Sequence, residues 1–184
     1  MTDALSRAII VAAWAHDGQY RKGTHVPYAT HPFSVMLLIH ESGGDEITKI
    51  AGLLHDVLED VPSDRYSRAN MMIEFGPEVV ETVEGVTHNM HEPNWLRRNQ
   101  QYIDHLAHVS ERSLIVSAAD KLHNISAMLG DHERIGDALW ERFVADKSAQ
   151  QWWYRGVYEA LNQRISEHDL VRRLEREVLR FEML

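Results

Sequence analysis

The chain has 184 residues, a formal net charge of −9, 12 histidines and no cysteine. The missing thiols exclude disulfides, thiolate nucleophiles and cysteine zinc sites and make a cytoplasmic location the expectation, while the acidic balance argues against a nucleic-acid polymer as partner. No apolar run reaches the roughly 20 residues of a membrane span and no signal-peptide pattern opens the chain, so one soluble domain over residues 1–184, with no membrane partner, is expected.

Apolar residues at helical spacing (Leu5, Ile9, Val11, Ala12, Ala15) predict a first helix over Asp3–His16. A loop, Asp17–Pro27, follows, and a second helix is expected from Tyr28 to Glu41, closed by Gly43 and Gly44. A third starts near Asp45, a good N-cap, and runs to Glu59 and Asp60 before Pro62 stops it. Asn70–Phe75 reads as a brief helix, and Gly76-Pro77 restarts the chain into Pro77–Val86. His88–Pro93 reads as an exposed loop. Further helices are expected over Trp95–His108, Ser113–Leu129 and Asp137 to about Ser166, with a break near Lys147. A last amphipathic segment, Asp169–Phe181, caps the core. Strand-type alternation is nearly absent, so the fold class is all-α.

The chemistry concentrates in Ala51–Asp60. On a helix, residues three and four apart share a face, so His55 stacks with Glu59 and Asp56 with Asp60. Carboxylates this close repel one another, and a cluster of them beside Leu54, Val57 and Leu58 implies a cation between them. His31-Pro32 opens the preceding helix, and Leu114–Asp120 delivers a carboxylate straight after an apolar run, which is costly unless the group is paired or ligates a metal. Two imidazoles and two carboxylates form a nitrogen and oxygen donor set suited to Mn²⁺, Fe²⁺, Zn²⁺ or Mg²⁺. Such an ion polarises a phosphoryl group and activates water, and Glu59 and Asp60, one turn away, suit general acid/base work. Spacing alone does not show that the three helices converge.

His31, His55-Asp56 and Asp120, in this order, resemble the metal ligands of the HD superfamily of helical phosphohydrolases. Six segments (His16–Gly23, Pro27–Pro32, Leu53–Asp60, Phe75–Gly76, Gly85–Thr87 and Ala119–Asn124) resemble the hydrolase domain of the RelA/SpoT proteins. The chain length resembles the small alarmone hydrolases (Mesh1-like proteins). The resemblance covers roughly residues 4–130 and implies an HD-domain helical bundle, with an additional C-terminal helical segment over about 135–184. It implies removal of the 3′-pyrophosphate of guanosine tetra- or pentaphosphate with Mn²⁺, His31, His55, Asp56 and Asp120 holding the ion and Glu59 and Asp60 as the catalytic pair. It also implies that Arg21, Lys22, Lys121 and Asn124 bind the nucleotide.

The chain departs from that pattern at His88, where lysine is frequent, at Ser117, also a frequent lysine, and at Lys121, Ser126 and Ala127, where arginine, arginine and threonine are common. These changes bear on substrate identity rather than reaction class. An adenine alarmone, NADPH, a general nucleotidase substrate and a non-catalytic nucleotide sensor stay open as alternatives, as do a monomer and a homodimer. His123 is expected to pack or hydrogen-bond near the site, His105 and His108 to lie on an exposed helix surface, and Trp140, Trp152, Trp153 and Tyr154 to pack the C-terminal helices onto the core.

Overall fold

The structure, a computed structural model, describes residues 3–184. Within them the chain forms α1 (Ala4–Ala15), α2 (Thr30–Glu41), α3 (Glu46–Leu54), α4 (Val57–Asp60) and α5 (Arg68–Phe75). After these come α6 (Pro77–Glu84), α7 (Trp95–His105) and α8 (Glu111–Ile135). A 3₁₀ segment (Gly136–Arg142) then leads to α9 (Lys147–Ile165) and α10 (Asp169–Glu182). The described residues hold no strand beyond a single bridge between Tyr20 and Pro27. None of their helices is long and apolar enough to cross a membrane.

Helix starts follow local chemistry. The side chains of Asp3, Asp45, Ser67, Asn94, Ser110 and Asp146 each accept a backbone N–H of the first turn, and Ser67 and Asn70 close a capping box. Gly76, at φ +82°, ends α5 and turns directly into Pro77 of α6, a conformation that favours glycine.

Two helices lie at the centre. α3 packs against α1, α2, α6 and α8, and α8 packs against α2, α3, α9 and α10. From Ser113 to Leu122 every residue of α8 is buried, so Asp120 and Lys121 enter the core as part of a continuous apolar helix. α2 approaches α3 closely because Gly52 has no side chain. A Cβ there would stand 2.5 Å from Ile39 Cδ1. That approach sets the first turn of α2, with His31, against the last turn of α3, with His55.

Two expectations change. The third helix does not run unbroken to Asp60. It stops at Leu54, and Asp56 (φ −90°, ψ −7°) begins the separate single turn α4. His55 Nδ1 donates to the carbonyl of Gly52 at 2.8 Å, which caps α3 from the inside. The eighth helix outlasts Gly130 by a full turn and reaches Ile135, because its C-terminal part is covered by α10. The break expected near Lys147 lies where Asp146 caps α9.

Candidate active site

His31, His55 and Asp56 present ligand atoms that all lie within 4.8 Å of one another. His31 Nε2 is 3.2 Å from His55 Nε2, 3.4 Å from Asp56 Oδ2 and 3.2 Å from Asp120 Oδ1. α2, the end of α3 and the middle of α8 thus deliver the four side chains to one point, the convergence that spacing left open. All are buried except Asp56, which is nearly so.

The hydrogen bonds at the far side of each ring fix what faces that point. A carbonyl only accepts, so the proton of neutral His55 sits on Nδ1, toward Gly52, and its Nε2 lone pair points inward. His31 Nδ1 pairs with His123 Nδ1 at 2.8 Å. Burial, helped by the charges of His31 and Arg21, pushes His123 down to about 4, so it stays neutral, and in the tautomer with its proton on Nε2 it accepts the Nδ1 proton of His31. His31 Nε2 is then also free to face the centre. His123 is thereby engaged in orienting a neighbour, the hydrogen-bonding place expected of it.

Burial alone would raise the carboxyls of Asp56 and Asp120. The His55 charge and both imidazoles' hydrogen bonds overcome this at Asp56, and the Lys121 ammonium leads the same effect at Asp120, so both stay well below the usual carboxylate range. His55 is held well above its ordinary value, the pull of Asp56 and Asp120 outweighing its burial. Two anionic carboxylates thus demand positive charge at this point. A divalent ion fits the donor set once it displaces the His55 Nε2 proton, baring an imidazole lone pair beside the carboxylate oxygens, with no sulfur in the set.

Glu59 and Asp60 leave the cluster in different directions, because α4 begins afresh at Asp56. Asp60 Oδ2 accepts from the Tyr28 hydroxyl at 3.1 Å, and the same hydroxyl lies 2.7 Å from Asp56 Oδ2. Burial and the neighbouring Asp56 and Glu59 raise the Asp60 carboxyl to about 6. Glu59 Oε1 accepts from the His88 backbone N–H at 2.6 Å and from His88 Nδ1 at 3.0 Å. His88 is therefore no exposed loop residue. Its ring is partly buried and stacked on Tyr102 at 4.3 Å.

Beside the cluster lies a cavity of about 520 Å³ whose wall includes Arg21, Lys22, Tyr28, His123 and Asn124. The last three hydrogen-bond the cluster or Asp60 directly. Arg21 lines the cavity, its guanidinium 5.6 Å from the Tyr28 ring centroid and donating to Asn124 Oδ1 at 2.6 Å. Asn124 passes the contact on by donating to Asp120 Oδ1. Lys22 lies over the Phe143 ring at 5.2 Å.

Lys121 is not on that wall. It is buried, paired with Asp120, with the Tyr102 and Trp153 rings 5.0 and 5.5 Å from its ammonium. The expected nucleotide contact is corrected to a buried counter-charge, because α7 and α9 cover that face of α8. Tyr28, His16 and the Glu59–His88 pair were not singled out from sequence, although Tyr28 and His16 lie inside the quoted segments. His16 stacks 4.8 Å from Tyr28, with Nδ1 on Gln19 and Nε2 buried without a partner. His105 and His108 are exposed, and Trp153 and Tyr154 are buried against the core, as expected, whereas Trp152 is exposed.

Residues 8–143 match the family model described as HD domain. The chain is 32% identical over 130 residues to a guanosine-3′,5′-bis(diphosphate) 3′-pyrophosphohydrolase of Borreliella burgdorferi, covering 68% of this chain and 19% of that protein. It is 34% identical over 117 residues to the Xenopus tropicalis pyrophosphohydrolase MESH1, covering 62% of this chain and 63% of that one. The chain thus spans less than a fifth of the length of the bacterial relative and under two thirds of the frog protein. A solved structure of a metazoan ortholog of SpoT, described as hydrolysing ppGpp, superposes with a TM-score of 0.80 at 24% identity, over 100% of this chain and 98% of that one. The Listeria monocytogenes protein lmo0812 superposes with a TM-score of 0.74, also at 24% identity, over 83% of this chain and 99% of that one. With three quarters of its length matched and the paired histidine and aspartate at the convergence of its helices, the chain belongs to the HD domain family.

Proposed function

We propose that the chain is a Mn²⁺-dependent pyrophosphohydrolase that removes the 3′-pyrophosphate of guanosine tetra- or pentaphosphate. The observation that carries this reading is the convergence of the four donors, with Glu59 and Asp60 directly following in α4, beside a cavity whose wall includes Arg21 and Lys22. The names of the pyrophosphohydrolase relatives support the same activity.

His31, His55, Asp56 and Asp120 would hold the ion, which when bound neutralises phosphoryl charge and acidifies water. The chain's own groups do the rest. Arg21 and Lys22 bring positive charge to the cavity and attract a polyanion despite the negative net charge. Tyr28 holds Asp60 by one oxygen, leaving the other to take a proton from an attacking water. A carboxyl raised to about 6 exchanges protons readily near neutrality. In the overall change water attacks the phosphorus attached to O3′, the P–O3′ bond breaks, and O3′ takes up a proton. The products are guanosine 5′-diphosphate or 5′-triphosphate, according to the substrate, and pyrophosphate. Glu59, clamped by His88, sits beside Asp60 as the partner that positions the water.

The test is turnover of guanosine tetraphosphate by Mn²⁺-loaded protein, followed by ion-exchange chromatography, in wild type, Glu59→Gln and Asp60→Asn. Guanosine diphosphate and pyrophosphate are expected, with kcat down at least about a hundredfold in each variant and nucleotide binding retained. Unchanged turnover in both variants would refute the catalytic pair, and no turnover in wild type would refute the reaction.

A further inference from the structure

The cavity contains a polar group that nothing above employs. Gln150, in the first turn of α9, is 7% exposed and lines the cavity, yet its side-chain amide has no hydrogen bond among the described residues. Gln151, next to it, uses its amide on the carbonyl of Phe181 at 2.9 Å. Two other polar groups of the cavity wall, Asp131 and Asn124, are engaged. Asp131 takes Arg134 on one oxygen and Arg142 on the other, and Asn124 spans Arg21 and Asp120. The amide bonds no protein group yet is not among the fully buried unpartnered atoms, so it is available to a ligand that enters the cavity.

Its surroundings define that ligand's shape. Tyr154, one turn along α9 and on the same face, lies against Met128, and Leu139 and Phe143 add apolar surface to the same cavity. Met128 stands two turns of α8 beyond Asp120, about 12 Å along the axis at 1.5 Å per residue. That separation is roughly the reach of a nucleoside from its 3′-phosphate to the edge of its base.

We infer that Gln150 reads the Watson–Crick edge of a purine seated among Met128, Leu139, Phe143 and Tyr154. This assignment rests on the nucleotide reading above and adds the residue that sets base preference. A carboxamide offers one acceptor beside one donor. It pairs with the N1–H and O6 of guanine, and, turned over, with the N6 amino group and N1 of adenine. The replacement Gln150→Glu offers two acceptors, which suit the N1–H and N2 amino group of guanine and repel N1 of adenine and O6 of hypoxanthine. Gln150→Leu keeps the volume and removes both contacts.

The experiment is calorimetric titration of the Mn²⁺-loaded protein with the 5′-diphosphates of guanosine, inosine and adenosine. Gln150→Leu is expected to weaken the wild type's preferred base about tenfold. Gln150→Glu is expected to shift the guanosine-to-adenosine and guanosine-to-inosine affinity ratios toward guanosine, each by at least about tenfold. Affinities within twofold of wild type in both variants, or an equal loss for all three nucleotides in Gln150→Glu, would overturn the assignment. Turnover is read separately. Absent alarmone hydrolysis with these base shifts present would overturn the reaction and leave the role of Gln150 standing.

Discussion

Burial beside Asp56 and Glu59 raises the Asp60 carboxyl from 3.8 to about 6, and this shift has a consequence for stability as well as chemistry. The native state keeps a proton on Asp60 that the unfolded chain has already lost, so it binds more protons from about pH 4 to about pH 6. The residue's contribution therefore falls as pH rises through that window and is most adverse above it. In metal-stripped protein, Asp60→Asn is expected to gain stability relative to wild type between about pH 4 and pH 7, by about 1 kcal/mol because solvent reaches the exposed Asp60 and screens its neighbours. Urea unfolding at the two ends of the range measures this, and a constant difference would show that the carboxyl is not raised. Asp120 behaves oppositely, because the buried Lys121 beside it keeps it charged. That pairing could not be read from Ala119–Asn124, since the rings enclosing Lys121 come from Tyr102 and Trp153, 19 residues upstream and 32 residues downstream.

Among the elements, the contact between α2 and α3 decides whether the cluster exists. Gly52 lets the two helices meet, and the nearest atom to an added Cβ would be Cδ1 of the fully buried Ile39. Gly52→Ala is expected to cost about 1–3 kcal/mol through overpacking and to weaken metal binding by parting His31 from His55. Adding Ile39→Val should return part of both losses. Thermal melting with and without Mn²⁺ checks this, and a double variant no better than the single one would place the strain elsewhere. The helices themselves were largely legible, because caps such as Asp45 and Asp146 and the Gly76-Pro77 junction act locally. The division between α3 and α4 was not. His55 and Asp56 both keep right-handed helical dihedrals, and the interruption arises where the His55 ring turns back to Gly52. The four donors were legible through their family-like order. Their meeting point was not, since it depends on three helices packing together.

For the whole molecule, the cluster concentrates two ionised carboxylates and two imidazoles in the core that α3 and α8 share with their neighbours. An ion bound there stabilises the fold by mass action, about 4 kcal/mol at a thousandfold excess over Kd. Chelation is therefore expected to lower Tm by several degrees, with recovery on adding Mn²⁺. Asp120→Asn should abolish most of that response. A wild-type Tm indifferent to chelator and to Mn²⁺ would exclude a bound ion from the native fold.

The buried ring of Trp153 stands 5.5 Å from the Lys121 ammonium that balances Asp120, and 5.7 Å from the His88 ring that holds Glu59. α9 thus gives the protein a built-in optical probe within one residue's reach of its chemistry. Paramagnetic Mn²⁺ entering the cluster should quench or shift the emission of this indole, and a stopped-flow trace would then time the ion's arrival without any label. Trp153→Phe should remove that signal. If the full response survived in the variant, the light would be coming from one of the four other tryptophans of the chain.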